Sequence, residues 1–293
     1  MSFKNCIQDG VAEGRISQAQ ADEVNGLFDE LVEQYNRQMG PGPAQSKAAA
    51  DAAQAARIEA IQRKRRTLLQ AQAWKRADLD MRSYKGGDPA EMGNAALALL
   101  EQDVRGTFPS AAQLRDAITR RATSMMDEYL TTFKRDLIGR TRNKATMNSL
   151  IREVFGENTG DAAARELAGA WSRTSEYLRQ RFNAAGGAIP LRKDWGLPQT
   201  HVVEKVRAVS FQEWRDYIAP RLDMDKMIDE RTGLKFTPAR LELALKDVYE
   251  TIKTDGMSRI KPSGAQRGKS VATRRQDHRF LVFRNADSWL QYQ

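Results

Sequence analysis

Cysteine and histidine are almost missing from this chain of 293 residues, which has one cysteine, Cys6, and two histidines, His201 and His278. One cysteine cannot close an internal disulfide, and so few thiols and imidazoles cannot build a Cys/His zinc cluster. Such usage suits synthesis in a reducing cytoplasm. Long apolar runs are missing too. The longest, around Ala95 to Leu100, falls far short of the ~20 residues that span a bilayer. Met1-Ser2-Phe3-Lys4-Asn5-Cys6 shows no apolar export segment. Strand-like alternation is scarce: Phe280-Leu281-Val282-Phe283 is the best candidate for a short strand, and Val202 to Val209 a weaker one.

What is present is charge. Apolar residues make up 41% and charged residues 29%, with a net charge of +9. Residues 44–85 hold ten Lys/Arg against four Asp/Glu, and residues 257–279 hold seven against one. Each segment is therefore +6, and the remaining chain sums to −3. Two basic segments on a near-neutral body suit a polyanionic partner such as nucleic acid, anionic lipid or an acidic protein surface.

The periodic segments read as helix, so the expected fold class is all-α: an extended arm, a helical bundle and one short β element near the C-terminus. A first helix covers 3–13. Ser17 with Gln20 forms a capping box for the next, whose face carries Val24, Leu27, Phe28, Leu31, Val32 and Tyr35 up to Gly40. Pro41-Gly42-Pro43 is a break. A long helix from about Ala44 to Tyr84 follows, with a narrow apolar stripe of Ile58, Ile61, Leu68 and Leu69 that suits a coiled-coil or helical-hairpin arm. Asp88-Pro89 starts another helix, and more are expected at 110–139, 145–155 and 161–184. Ser210 with Glu213 caps a helix at 211–222, and Thr237-Pro238 opens one ending before Gly256. The expected divisions are a helical pair (1–40), a basic arm (44–85), a bundle (88–185), a loop-plus-helix module (186–256), a flexible basic linker (257–279) and the start of a further element (280–293). Ending on Asp287-Ser288-Trp289-Leu290-Gln291-Tyr292-Gln293, the chain reads as the N-terminal part of something larger.

Between these helices lies Ile189-Pro190-Leu191-Arg192-Lys193-Asp194-Trp195-Gly196-Leu197-Pro198-Gln199-Thr200-His201. Its prolines and glycines forbid regular helix. Leu191, Trp195 and Leu197 are large and apolar, which predicts a docked loop built on Trp195, Gly196, Pro198 and His201. For His201 the plain expectation is a bond to that loop's backbone, against a role as a site residue.

Chemistry is hard to assemble from these residues. Gly264-Ala265-Gln266-Arg267-Gly268-Lys269-Ser270 resembles a phosphate loop, but three residues separate its glycines where four are needed. Asp223, Asp225, Asp229 and Glu230 resemble the start of a calcium loop without its glycine and final glutamate at the required offsets. They read as a helical turn with solvated acids. Cys6, on the first helix with Phe3 and Ile7, reads as a packed cysteine. No catalytic residue, metal site or cofactor is expected. The nucleic-acid candidates are Arg63, Lys64, Arg65, Arg66, Lys75 and Arg76 on the arm, with Arg267, Lys269, Arg274 and Arg275 beyond it. Cations so spaced can straddle phosphates without reading bases; the alternative is a solvated helix face.

Several stretches carry a family resemblance: Met1-Ser2-Phe3-Lys4 to Phe28; Asp194-Trp195-Gly196-Leu197-Pro198-Gln199-Thr200-His201; Phe211-Gln212-Glu213-Trp214-Arg215 with Pro220-Arg221-Leu222-Asp223; Thr237 to Gly256; and His278-Arg279-Phe280 leading to Asp287-Ser288-Trp289. Together they resemble the internal virion or DNA-ejection proteins of bacteriophages and prophages. The resemblance implies a non-enzymatic, helical, homo-oligomeric virion protein made in the host cytoplasm. It implies assembly with other virion proteins, DNA contact through phosphates, and delivery toward the host envelope. The matching residues are packing signatures, so no active-site residue carries over. The rival expectation is a sequence-independent nucleic-acid-binding protein of phage or mobile-element origin, and a third is catalysis by a domain beyond residue 293.

Overall fold

The computed structural model describes residues 2–101, 107–138, 144–191, 197, 201–229, 234–254 and 281–292, with side chains left undescribed at 128–138 and 144–146. The fold is all-α. Eleven α-helices lie among the described residues: α1 Phe3–Ala12, α2 Gln18–Met39, α3 Pro41–Ser83, α4 Met92–Leu100, α5 Ala111–Ile138, α6 Lys144–Val154, α7 Ala162–Ala184, α8 Val203–Arg207, α9 Phe211–Ile218, α10 Pro238–Lys253 and α11 Ala286–Tyr292. The only extended pairing among the described residues is a two-residue antiparallel pair, β1 Ile228–Asp229 with β2 Leu234–Lys235, and a single bridge between Leu222 and Phe283. The chain forms two compact units, residues 1–63 with 199–293, and residues 64–198.

In the first unit, Ser17 accepts from the Gln20 amide while the Gln20 side chain accepts from the Ser17 amide, which closes the capping box of α2. Leu27, Leu31 and Tyr35 of α2 then bury against Ala44, Ala48 and Ala52 of α3, whose side chains are fully enclosed. Methyl groups four residues apart make a smooth ridge that lets two helices approach closely. α1 closes the edge, stacking Phe3 on Phe28 with ring centroids 4.8 Å apart. Here Cys6 is exposed, which corrects the expectation of a packed thiol. The inward face runs through Phe3, Ile7 and Gly10, and Cys6 lies to its side.

A second core of the same unit gathers Trp214, Ile218, Leu222, Met227, Leu245, Val248, Tyr249 and Phe283. Capping boxes and caps set its helices as the spacing predicts. Ser210 and Glu213 bond reciprocally, and Thr237 accepts from the Arg240 amide with Pro238 behind it. α9 stops at Ile218, four residues before the expected end, and Ala219–Arg221 tightens into a 3-10 turn where Pro220 offers no amide. Two further readings are corrected. Val202–Val209 holds the short helix α8, closed by the Lys205 and Val206 amides donating to the Val202 carbonyl. The acids from Asp223 lie on a turn leading into β1, with Asp229 buried and paired to Arg240 at 3.2 Å.

In the second unit, α7 buries Ala164, Leu167, Ala168, Ala170 and Thr174 and packs against α5 and α6. Glu153 accepts from the amide and hydroxyl of Thr159 at 2.7 and 2.8 Å, which holds its carboxyl below the usual range. α3 itself begins at Pro41, three residues earlier than expected, because the break is carried by Gly40 at φ 80° and Pro41 sits in the first turn, where no amide is missed. It ends in a left-handed corner: Lys85, Gly86 and Gly87 have φ of 44°, 74° and 83°. A Cβ on Gly87 would fall 2.8 Å from the Arg82 carbonyl oxygen.

Candidate functional site

The arm's basic run divides once its side chains are placed. Arg63 pairs with Glu59 at 2.5 Å, and Arg76 with Asp80 at 3.0 Å, each one turn away along α3. Arg65 donates to the carbonyl of Asn183, at the end of α7, at 2.6 Å. A Cβ on Gly186 would lie 3.5 Å from the Arg66 stem and from Leu69, so this side of the helix is approached by its own chain. Lys64 and Lys75 are exposed and have no acid partner among the described residues. They stand eleven residues apart, which is about three turns and puts both on one face. Between and beyond them Leu68 and Leu79 are 55% and 53% exposed. Arg267, Lys269, Arg274 and Arg275, and the loop-like stretch from Gly264, lie outside the described residues.

The Trp195 loop is described only at its flanks, and Trp195, Gly196 and Pro198 lie outside the described residues. At its start, Ile189 is held to α7: its amide donates to Asn183, and its carbonyl accepts from Asn183 and Arg179. Glu176 orients Arg179 through two bonds of 2.7 Å, and its carboxyl falls to a pKa of about 2 chiefly through that bond. Leu191 is 66% exposed, against the expectation that it docks, while Leu197 is half-buried.

At the far flank His201 has a partner that the spacing along the chain does not reveal. Its Nδ1 lies 2.8 Å from the Tyr292 hydroxyl, and the rings meet edge-on at 5.6 Å. Trp214 Nε1 donates to the same oxygen at 3.1 Å. The Tyr292 hydroxyl thus joins both side chains, accepting from the indole and sharing one hydrogen with the imidazole. Burial, with Tyr217 nearby, pushes the Tyr292 phenol up to about 12, against the lowering effect of the Trp214 bond. A phenol so reluctant to ionise is a poor base near neutral pH. The cluster clamps α11 to α9, and Tyr217 adds a bond to the Gln291 carbonyl at 2.6 Å. Only the aromatic content of Trp289-Leu290-Gln291-Tyr292 hinted at this in the sequence.

One groove of about 230 Å³ opens between α2, β2 and the start of α10. Its charged groups include the ion pairs of Arg37 with Glu33 at 2.5 Å and of Arg240 with Asp229. Gln34 ties its floor to the Lys235 carbonyl at 2.7 Å. Asp223 has its carboxyl lowered, chiefly by Lys226, and Asp225 pairs with Lys235 at 2.9 Å. No group of three or more His, Cys, Asp or Glu among the described residues is arranged to hold a metal ion. No helix there is long and apolar enough to cross a membrane. No family model, no curated protein and no solved structure matches this chain.

Proposed function

We propose that this chain is a non-catalytic bacteriophage virion component of the internal or ejection class that its sequence resembles. It assembles with other virion proteins, and with further copies of itself, and accompanies genome delivery toward the host envelope. The observation that carries assembly with other virion proteins is the open face of α3, where half-exposed leucines alternate with lysines that have no acid partner among the described residues. A helix packed along one side and aliphatic along the other is built for contact with another protein. Mass spectrometry of purified particles tests the proposal: the chain is expected among the components, and its absence ends the idea. Sedimentation at high concentration tests self-association, which a persistent monomer removes.

Sequence-independent binding to nucleic acid is the second reading, favoured by the same two lysines on one helix face. It expects duplex affinity that falls steeply with salt and weakens when Lys64 and Lys75 become alanine. Replacing Arg63 or Arg76 changes less, because each already has a carboxylate. Unchanged duplex retention in the double lysine variant makes the face a solvated one.

A further inference from the structure

α3 from Lys64 onward has a covered side and an open one. On the covered side lie Arg66 and Leu69, close to Gly186, and Met81, which packs on Tyr84, Ala95, Ala98 and Phe108. At about 100° per residue, Lys64, Leu68, Ala71, Gln72, Lys75 and Leu79 share one arc of the other side, and all are exposed. Leu68, Ala71, Lys75 and Leu79 follow the three–four–four steps of a seam that a second helix can enter, with the Lys75 stem supplying methylenes between the leucines. No acid stands on this arc. Asp78 beside it is taken by Arg82 at 2.8 Å, and Asp80 on the covered side by Arg76.

We infer that the Lys64–Leu79 face of α3 docks an amphipathic helix of another virion component. That helix carries aliphatic residues at three- and four-residue spacing with Asp or Glu beside them. The inference rests on the assembly reading above and names the partner at that face. Charge decides the partner. A second copy of the same face would set its own Lys64 and Lys75 against these, and like charges across a helical seam are unfavourable. Phosphates would use the lysines but leave Leu68 and Leu79 in water. An acidic helix with aliphatic seam residues uses both.

The test uses the full chain and a labelled four-heptad peptide with leucine at both seam positions and glutamate at the flanking ones. Anisotropy is expected to report binding that weakens at least about tenfold in Leu68→Asp and in the Lys64→Glu/Lys75→Glu double variant. A lysine-flanked peptide is expected to recover affinity for the double variant. Both sets of changes sit on exposed positions, and circular dichroism verifies that each variant keeps its helices. Four results overturn the inference. They are no binding of the glutamate peptide, equal binding of a version with serine in the seam, tighter binding of duplex DNA or anionic vesicles through these residues, and a dimer abolished by Leu68→Asp. Particle composition is unaffected by any of these, so failure here is separable from failure of the virion reading.

Discussion

Tyr292 shows how much one hydroxyl can organise, since it serves Trp214 and His201 at once. Trp214 is only 3% exposed, so removing that oxygen leaves a buried indole N–H without its acceptor. Tyr292→Phe is expected to destabilise the protein by about 1–3 kcal/mol, read by denaturant unfolding. Adding Trp214→Phe should then cost less than it does in the parent, because the orphaned donor is gone; full additivity in the cycle would show that the bond does not couple them. Little of this was legible in the sequence. His201 and Tyr292 are separated by ninety-one positions, and no local pattern joins an imidazole to a phenol at that distance. What could be read was composition: two histidines and one cysteine left no material for a zinc cluster. Cys6 belongs to this scale as well: Phe3, Ile7 and Gly10 set the inward face of α1, and the thiol beside that face stays exposed.

Helices are where the chain is most readable, because their ends are written locally. Ser17 with Gln20, Ser210 with Glu213, and Thr237 before Pro238 each cap the helix that their spacing announces. Ser210→Ala is expected to cost about 1 kcal/mol, measurable as a lower unfolding midpoint. The tertiary use of α3 was harder to see. Ile58, Ile61, Leu68 and Leu69 make the apolar stripe of its sequence, yet Ile58 and Ile61 are exposed while Ala44, Ala48 and Ala52 form the buried ridge. Alanine favours a helix whether or not it is packed, so its burial depends on a neighbour that the pattern does not name. Ala48→Leu should cost about 1–3 kcal/mol by forcing α2 away, whereas similar cost for Ala71→Leu on the open face would contradict the described exposure. At the other end of the helix, Gly87→Ala combines a left-handed backbone with a contact to the Arg82 carbonyl. It is expected to lose at least about 1 kcal/mol of stability in the same assay.

For the whole molecule, pH is the most direct probe. Tyr35 lies against Asp51 at 2.5 Å, and burial first, then that carboxylate, push its phenol up to about 12, as burial does for Tyr292. An unfolded tyrosine titrates near 10. The folded protein therefore keeps two protons that the unfolded chain releases between about pH 10 and 12. Their stabilising contribution is complete below about 10 and is lost as pH rises through 12. Tyrosinate absorbance should show two late phenols, and near-ultraviolet dichroism should fade in the same window, less so in Tyr35→Phe. Loss of the signal below pH 9 would contradict this. Both phenols belong to the first unit, which joins the start of the chain to its last described helix. The buried and open stretches of α3 also imply a step in mutational tolerance. At Ala44, Ala48 and Ala52 nearly any enlargement should be rejected by folding itself, whereas on the open arc of Lys64, Leu68, Ala71, Gln72, Lys75 and Leu79 a library selected only for solubility should retain almost every residue. If the chain is the virion component proposed above, variants lost from particles but kept in such a library trace the footprint of the partner on that helix.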